Sequence, residues 1–214
     1  AFIAFNSNGM WVGKFEPSRN GGESDNIRNG DAIQIKPNLS SWRNIQVANA
    51  FYTSYDYKRD LDSHMMKNTE WGAVAYLQHS AYGSQESVRI NNHSAYITGY
   101  QANNEPTCGY TNSNEECNRY CNDGTCNTAY PNSVLANTTG NITGIYDMSG
   151  GTREYVMGVM LDQSGNPMSG GSSTSNSGFN GTYTLGDSLT TGYNWPEEKY
   201  YDSYHYYFRA GDHD

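Results

Sequence analysis

Two acidic residues, Asp147 and Glu154, flank a glycine pair in a short and partly apolar stretch. Gly150 and Gly151 let the backbone adopt positive φ angles or approach another group closely. A turn with inward carbonyls between two carboxylates supplies the oxygen ligands that a hard cation such as calcium prefers. The alternative is a solvated β-hairpin with two surface acids, because turns are commonly rich in Gly and Asp.

The cysteines form a second group of residues that could do chemistry. All four lie within one polar segment, at Cys108, Cys117, Cys121 and Cys126. Two local disulfides would staple an inserted loop, as in many exported proteins. A four-thiolate zinc site and a catalytic thiol are the alternatives, but the C-x2-C knuckle is absent and no nearby base is evident. We predict a disulfide-stapled insertion over residues 105–130, whose pairing the sequence does not give.

Aromatic residues crowd the end of the sequence. The candidates for ligand contact are Tyr193, Trp195, Tyr200, Tyr201, Tyr204, Tyr206 and Tyr207. Such a cluster offers large amphipathic contact area, which is typical of binding surfaces. The alternative is that these residues form the edge of the main core.

Two helices are predicted to position these groups. The first begins at an N-cap, Ser40 or Ser41, and runs to about Tyr52, with apolar residues at helical spacing. The second has Thr69 as its N-cap and Glu70 at its start, and runs to about Ser80. We expect both helices to pack an apolar face against the core.

The remaining segments are predicted to be short strands and long loops. Residues 10–15 and 154–157 are expected to be strands, with Gly158 closing the second one. Residues 160–192 are rich in Ser, Gly, Asn and Thr, and this composition cannot bury enough surface to form its own core. We therefore predict a loop excursion there, within a single domain over residues 1–214.

Composition narrows the classes of function. The net charge of −9 makes a nucleic acid a poor partner, because a polyanion needs a basic surface. Only 16% of the residues are charged, whereas 19 are Tyr, which is typical of binding surfaces or of sheets lined by tyrosine. No apolar run approaches the length of a membrane span, so we predict no membrane-spanning segment.

Three motifs resemble one protein family. Residues 144–155 read Gly-Ile-Tyr-Asp-Met-Ser-Gly-Gly-Thr-Arg-Glu-Tyr, which is similar to the signature G-L-Y-D-M-x-G-N-V-W-E-W of the formylglycine-generating-enzyme (sulfatase-modifying-factor) group. Residues 10–18, Met-Trp-Val-Gly-Lys-Phe-Glu-Pro-Ser, resemble its opening strand, and residues 67–75, Lys-Asn-Thr-Glu-Trp-Gly-Ala-Val-Ala, its helix entry. The resemblance is strongest to the lectin-fold display proteins of gut bacteria and their phages, including those of diversity-generating retroelements.

The resemblance implies a fold and a set of metal ligands. The implied fold is the α+β, C-type-lectin-like fold of that group, with two helices, short strands and long irregular insertions. The implied cofactor is a structural calcium ion. Its side-chain ligands would be Asp147 and Glu154, and its carbonyl ligands would be Gly150 and Thr152. This agrees with the oxygen cage inferred above from residue types alone.

The family's catalytic residues are not matched. The enzymes use a thiol pair that follows the signature, whereas every cysteine here precedes Asp147. We therefore predict no enzymatic activity. The family's closing blocks are also not matched by residues 207–214, so either the fold is completed differently or a C-terminal part lies outside this chain.

The sequence thus predicts a non-catalytic ligand-binding, adhesion or display domain at an extracellular, cell-surface or virion-surface location. It would belong to a bacterial surface structure, a pilus or a phage particle, and would bind a protein or a glycan. One alternative is a self-assembling structural subunit of a filament or virion decoration. The other is an oxidase of the formylglycine-generating type.

Overall fold

The chain mixes helix and strand and divides into two compact units. The computed structural model describes residues 9–85, 88–101, 128–161 and 197–205. Unit 1 comprises Ala1–Asp25, Ala32–Asn44 and Gly72–Glu154, and unit 2 comprises Asn26–Asp31, Ile45–Trp71 and Tyr155–Asp214. The single-domain and lectin-like descriptions of the chain stay predictions.

In the described residues of unit 1, one short strand pair and several isolated backbone bridges join the segments. Strand β1, Ser18–Arg19, pairs antiparallel with β2, Ile33–Gln34. Single bridges then join distant segments, among them Ser40 with Ile97, Asn91 with Gly150, and Asn137 with Tyr146. Among the described residues, short 3-10 turns lie at Gly30–Ala32, Arg59–Leu61, Leu77–His79, Val134–Ala136 and Glu198–Tyr200.

An aromatic cluster forms the apolar core of unit 1. Phe15, Ala136 and Tyr146 are buried, and Tyr130 packs against them. The ring of Phe15 stacks on Tyr146 with centroids 5.1 Å apart and meets Tyr130 edge-on at 5.2 Å. The Lys14 ammonium covers this cluster, 5.2 Å from the centroid of the Tyr130 ring. The core therefore joins the opening segment of the chain to the segment around Tyr146.

Unit 2 combines a helix with a parallel strand pair. Helix α1 is Val47–Tyr57, and strands β3, Gly158–Leu161, and β4, Asp202–His205, are parallel with Gly158 opposite Asp202. The core consists of Phe51, Met157, Tyr200 and Tyr201, with Tyr52, Tyr55 and Met65 packed around it.

The second helix, α2, Asn68–Tyr76, begins within two residues of the predicted start, but Thr69 lies inside the helix and is not its N-cap. The Lys67 N–H donates to Glu70 Oε2 at 2.9 Å, and the Thr69 N–H donates to Asp202 Oδ2 at 2.7 Å. These carboxylates satisfy N–H groups that a helix start leaves without partners. The 3-10 turn Leu77–His79 continues the helix, so the predicted end near Ser80 is also confirmed.

The predicted start of the first helix is wrong. Helix α1 begins at Val47, after the N-cap Gln46, and not at Ser40 or Ser41. Asn44 has a φ of +58°, which a right-handed helix does not tolerate. The Ser41 hydroxyl does not cap a helix but donates to a carboxylate of another segment, that of Glu16.

Two strand predictions are also wrong. Residues 10–15 form no strand, although the Lys14 carbonyl accepts one hydrogen bond from the Tyr146 N–H at 2.9 Å. Residues 153–156 are irregular, and Gly158 begins strand β3 rather than ending a strand. The partner of β3 is β4, which lies more than forty residues further along the chain and is not part of a local hairpin.

Candidate functional site

Asp147 lies in a buried polar cluster of unit 1 and is 2% exposed. Its Oδ1 accepts hydrogen bonds from Asn91 Nδ2 and from the Gly99 N–H, both at 2.9 Å. Its Oδ2 accepts from the Gly99 N–H at 3.0 Å and from the Glu16 N–H at 3.3 Å. In the described residues, the hydrogen bonds to this carboxylate thus come from N–H groups. The carboxylate holds three distant segments of unit 1 together.

A second buried carboxylate, that of Glu16, stands beside Asp147. Glu16 is 6% exposed and accepts a hydrogen bond from the Ser41 hydroxyl. Its Oε1 accepts from the Thr152 N–H at 3.1 Å, and its Oε2 accepts from the Thr152 hydroxyl at 3.1 Å. Glu16 thus joins the opening segment to the turn that follows Asp147.

The glycine turn at residues 150–151 adopts the positive φ angles that the sequence predicts. Gly150 and Gly151 have φ angles of +87° and +74°. A Cβ at Gly151 would stand 2.7 Å from Glu16 Oε1, and a Cβ at Gly150 would stand 2.2 Å from the Asn91 carbonyl oxygen. Glycine is required at both positions for the angle and for the space.

Burial shifts the ionisation of both carboxyls. It is the main reason that the pKa of Glu16 rises from 4.5 to about 7. Hydrogen bonds from Ser41 and Thr152 lower this pKa, whereas the negative charges of Asp147 and Glu154 raise it. Burial also raises the pKa of Asp147, against the effect of its hydrogen bonds. Near neutral pH the buried pair therefore takes up a proton readily.

The side chains of the four residues implied as calcium ligands have different surroundings in the structure. Asp147 faces N–H donors, Thr152 directs its N–H and hydroxyl at Glu16, and Glu154 is exposed. Gly150 pairs with Asn91 in a backbone bridge. Within the described ranges no three His, Cys, Asp or Glu residues are grouped as metal ligands. Calcium takes roughly six to eight oxygen ligands, and the side-chain contacts of these residues supply none of them, so calcium stays a prediction.

Sequence reasoning missed Glu16 as the partner of this turn. Its contacts Ser41 and Thr152 lie 25 and 136 residues away in the chain, which no local pattern reports. One signal was present, because Glu16 lies between Phe15 and Pro17 in the sequence. An acid in such a setting is a candidate for burial.

An open cavity lies next to this cluster in unit 1. Its volume is about 280 Å³. The lining residues are Ala75, Gln78, Val88, Thr138, Met148 and Ser149. Asn91 connects the cluster to the cavity. Its backbone N–H donates to the carbonyl of the lining residue Ser149 at 2.8 Å, and its side-chain amide donates to Asp147.

Several large aromatic side chains are exposed on each unit. In unit 1 these are Trp11, Tyr76 and Tyr82, which are 104%, 64% and 83% exposed. In unit 2 they are Tyr57 and Tyr155, at 38% and 53%. Exposed aromatic residues of this kind supply contact area at a low cost in side-chain entropy.

The predicted aromatic ligand contacts separate into two groups. Tyr200 and Tyr201 are 4% and 7% exposed and belong to the core of unit 2, which was the alternative interpretation. Tyr204 is partly buried, and its hydroxyl accepts a hydrogen bond from Asn68 Nδ2 at 2.8 Å. The other candidates lie outside the described residues, namely Tyr193, Trp195, Tyr206 and Tyr207, as do Cys108, Cys117, Cys121 and Cys126.

No protein-family model, curated protein or solved structure matches the chain. The likeness to the formylglycine-generating-enzyme group therefore remains a resemblance of three motifs. Among the described residues, no helix is both long enough and apolar enough to cross a membrane.

Proposed function

We propose that this chain is a non-catalytic binding or display domain that acts outside the cell, on a cell surface or a virion surface. The observation that carries this proposal is the exposure of Trp11, Tyr76 and Tyr82 on unit 1. Tyr and Trp are enriched at binding surfaces because they supply large contact area at a low cost in side-chain entropy, so these exposed residues support contact with a partner. The ligand is a protein or a glycan.

The buried carboxylates support a structural use of the acidic residues in the central motif. Asp147 and Glu16 are held by groups of their own chain, and neither is open to a substrate in the described structure. Their hydrogen bonds connect segments without regular structure. These contacts stabilise the backbone of the unit that carries the exposed residues. A rigid backbone lowers the entropy lost on binding.

The test is a binding screen of the full 214-residue chain against glycan arrays and cell-surface proteins. We expect at least one ligand above background, and at least tenfold weaker binding when Trp11→Ala, Tyr76→Ala and Tyr82→Ala are combined. The matched control replaces exposed tyrosines of unit 2, with Tyr57→Ala and Tyr155→Ala. A screen without any ligand, or equal losses in both variants, would contradict the proposal.

A structural subunit is the second candidate, favoured by the exposed pair Met10 and Trp11, which are 38% and 104% exposed. Adjacent apolar side chains of this kind can form a contact between copies of a chain. Light scattering over a hundredfold range of concentration separates the two. Growth in mass that Trp11→Ala abolishes favours a subunit, and a constant monomer favours a binding domain.

A further inference from the structure

The cavity of unit 1 has walls from well-separated segments that are fixed to one another. Ala75 and Gln78 come from α2 and the turn after it, whereas Thr138, Met148 and Ser149 come from the central motif. The Ser84 N–H donates to the Thr138 carbonyl at 3.3 Å, and the Gln85 N–H donates to the Gln78 carbonyl at 3.0 Å. The cavity is therefore part of the folded unit and needs no rearrangement to form.

Two polar side chains on the cavity wall have unused hydrogen-bonding capacity. In the part of the chain that the structure describes, the Gln78 side-chain amide and the Ser149 hydroxyl make no hydrogen bond, although the carbonyls of both residues accept one. The amide offers two donors and one acceptor, and the hydroxyl offers one donor and two acceptor positions. The third polar residue, Thr138, uses its hydroxyl oxygen to accept from the Ile145 N–H at 3.2 Å.

The chemistry of the lining selects the class of ligand. No lining residue is charged, and the chain carries a net charge of −9, so an anionic ligand is disfavoured. Ala75, Val88 and Met148 present apolar surface, while Gln78 and Ser149 present donors and acceptors. A ring with C–H faces and hydroxyl groups matches both kinds of surface. The volume of about 280 Å³ is just below the ~300 Å³ at which pockets for drug-sized ligands begin, so one ring fits.

A tyrosine lies in the turn beside the cavity. Tyr82 is 83% exposed, and the turn that carries it is bound to the cavity wall through Ser84 and Thr138. The turn also packs tightly against Gln78, because a Cβ at Gly83 would stand 2.0 Å from the Gln78 carbonyl oxygen. An exposed aromatic ring in this turn offers stacking area to the C–H face of a ligand bound nearby.

We propose that this cavity binds a single neutral, hydroxyl-rich ring, that is, one residue of an uncharged carbohydrate. Gln78 and Ser149 supply the polar contacts, Ala75, Val88 and Met148 supply the apolar surface, and the turn that carries Tyr82 adjoins Gln78. This inference rests on the proposed function, and it narrows the ligand of one surface to a chemical class.

The test uses the methyl glycosides of glucose, galactose, mannose and N-acetylglucosamine as probes, observed by saturation-transfer NMR with the full chain. We expect at least one to bind, and Gln78→Leu and Ser149→Ala each to weaken it by at least about fivefold, the worth of one hydrogen bond. Gln34→Leu is the matched control, because Gln34 lies in β2 of the same unit and does not line the cavity.

A third variant, Ala75→Leu, fills the cavity without removing a polar group and is expected to abolish binding at an unchanged Tm. Binding that survives both Ala75→Leu and Gln78→Leu would overturn the cavity site. If no glycoside binds while a ligand from the wider screen does, this inference fails and the proposed function stands. If neither binds, both fail.

Discussion

Glu16 is a buried acid whose ionisation is linked to stability. Its pKa is about 7 in the folded chain, above its usual 4.5, so the folded state binds the proton more tightly than the unfolded state. The stabilisation of the folded state by the protonated Glu16 carboxyl is fully present below about pH 4.5 and is lost as the pH rises through about 7. The shift corresponds to a change on the order of 3 kcal/mol in the free energy of unfolding.

We therefore expect urea unfolding to show lower stability at pH 7.5 than at pH 5, and Glu16→Gln to flatten this dependence. His64, whose pKa is raised mainly by its hydrogen bond with Glu70, changes stability in the same direction, so the difference between wild type and variant isolates Glu16. Glu23→Gln, on an exposed acid paired with Arg43, is the control. Parallel pH profiles for wild type and Glu16→Gln would show that Glu16 does not titrate in this range.

Gly151 is the residue where the turn leaves no room for a side chain. Its φ is +74°, and a Cβ would stand 2.7 Å from Glu16 Oε1. We expect Gly151→Ala to destabilise the chain by about 2–4 kcal/mol through backbone strain and the displaced carboxylate.

The same substitution at Gly72, Gly72→Ala, is expected to have the opposite effect on stability. Gly72 lies inside α2, and a Cβ there would meet nothing within 4 Å. Alanine should stabilise the helix by about 0.5–1 kcal/mol. The free energies of unfolding of both variants are measured by chemical denaturation. Equal changes for Gly151→Ala and Gly72→Ala would show that the turn does not require glycine at position 151.

At the scale of elements, one carboxylate couples helix α2 to strand β4. Asp202 accepts the Thr69 N–H at 2.7 Å through Oδ2 and the Thr69 hydroxyl at 3.1 Å through Oδ1. A carboxylate at a helix N-terminus satisfies an N–H group and interacts favourably with the helix dipole. The cap comes from β4 and not from the residues just before the helix.

We expect Asp202→Ala to lower the free energy of unfolding by about 1–2 kcal/mol. Amide hydrogen exchange should become faster in the first turn of α2 and in β4 together, because one group serves both. Asp60→Ala, in the short turn Arg59–Leu61, is the control with an acid that caps neither element. Faster exchange in only one of the two elements would contradict the coupling.

For the whole molecule, the sequence resemblance predicts a bound calcium ion, whereas the contacts of Asp147 lead to the opposite expectation, that calcium does not stabilise the chain. Its oxygens accept from Asn91, Gly99 and Glu16, and a metal would have to displace these N–H groups. The Tm should be the same in millimolar calcium and in EDTA. A ligand present at about 100 times its Kd stabilises the folded state by about 2.7 kcal/mol. A clear rise of the Tm with calcium would therefore support the predicted calcium site.

Local patterns in the sequence were sufficient to predict several features of this chain. The start of α2 near Thr69 and the positive φ angles of Gly150 and Gly151 were predicted from residue types. The aromatic content around Tyr200 indicated either a ligand contact or a core edge, and the structure places Tyr200 in a core. Helix signals and glycine turns are encoded within a few residues, so the sequence displays them directly.

Long-range partners were decided only by the tertiary structure. Asp147 and Glu16 are 131 residues apart, and neither gives a local sign of the other. The start of α1 was misplaced because Ser41 has the chemistry of a helix cap, yet Glu16 takes its hydroxyl. A buried polar group must be satisfied by whatever segment reaches it, and the sequence does not state which one does. Asp147, which resembles a metal ligand in the sequence, is in the folded chain the acceptor of hydrogen bonds from N–H groups.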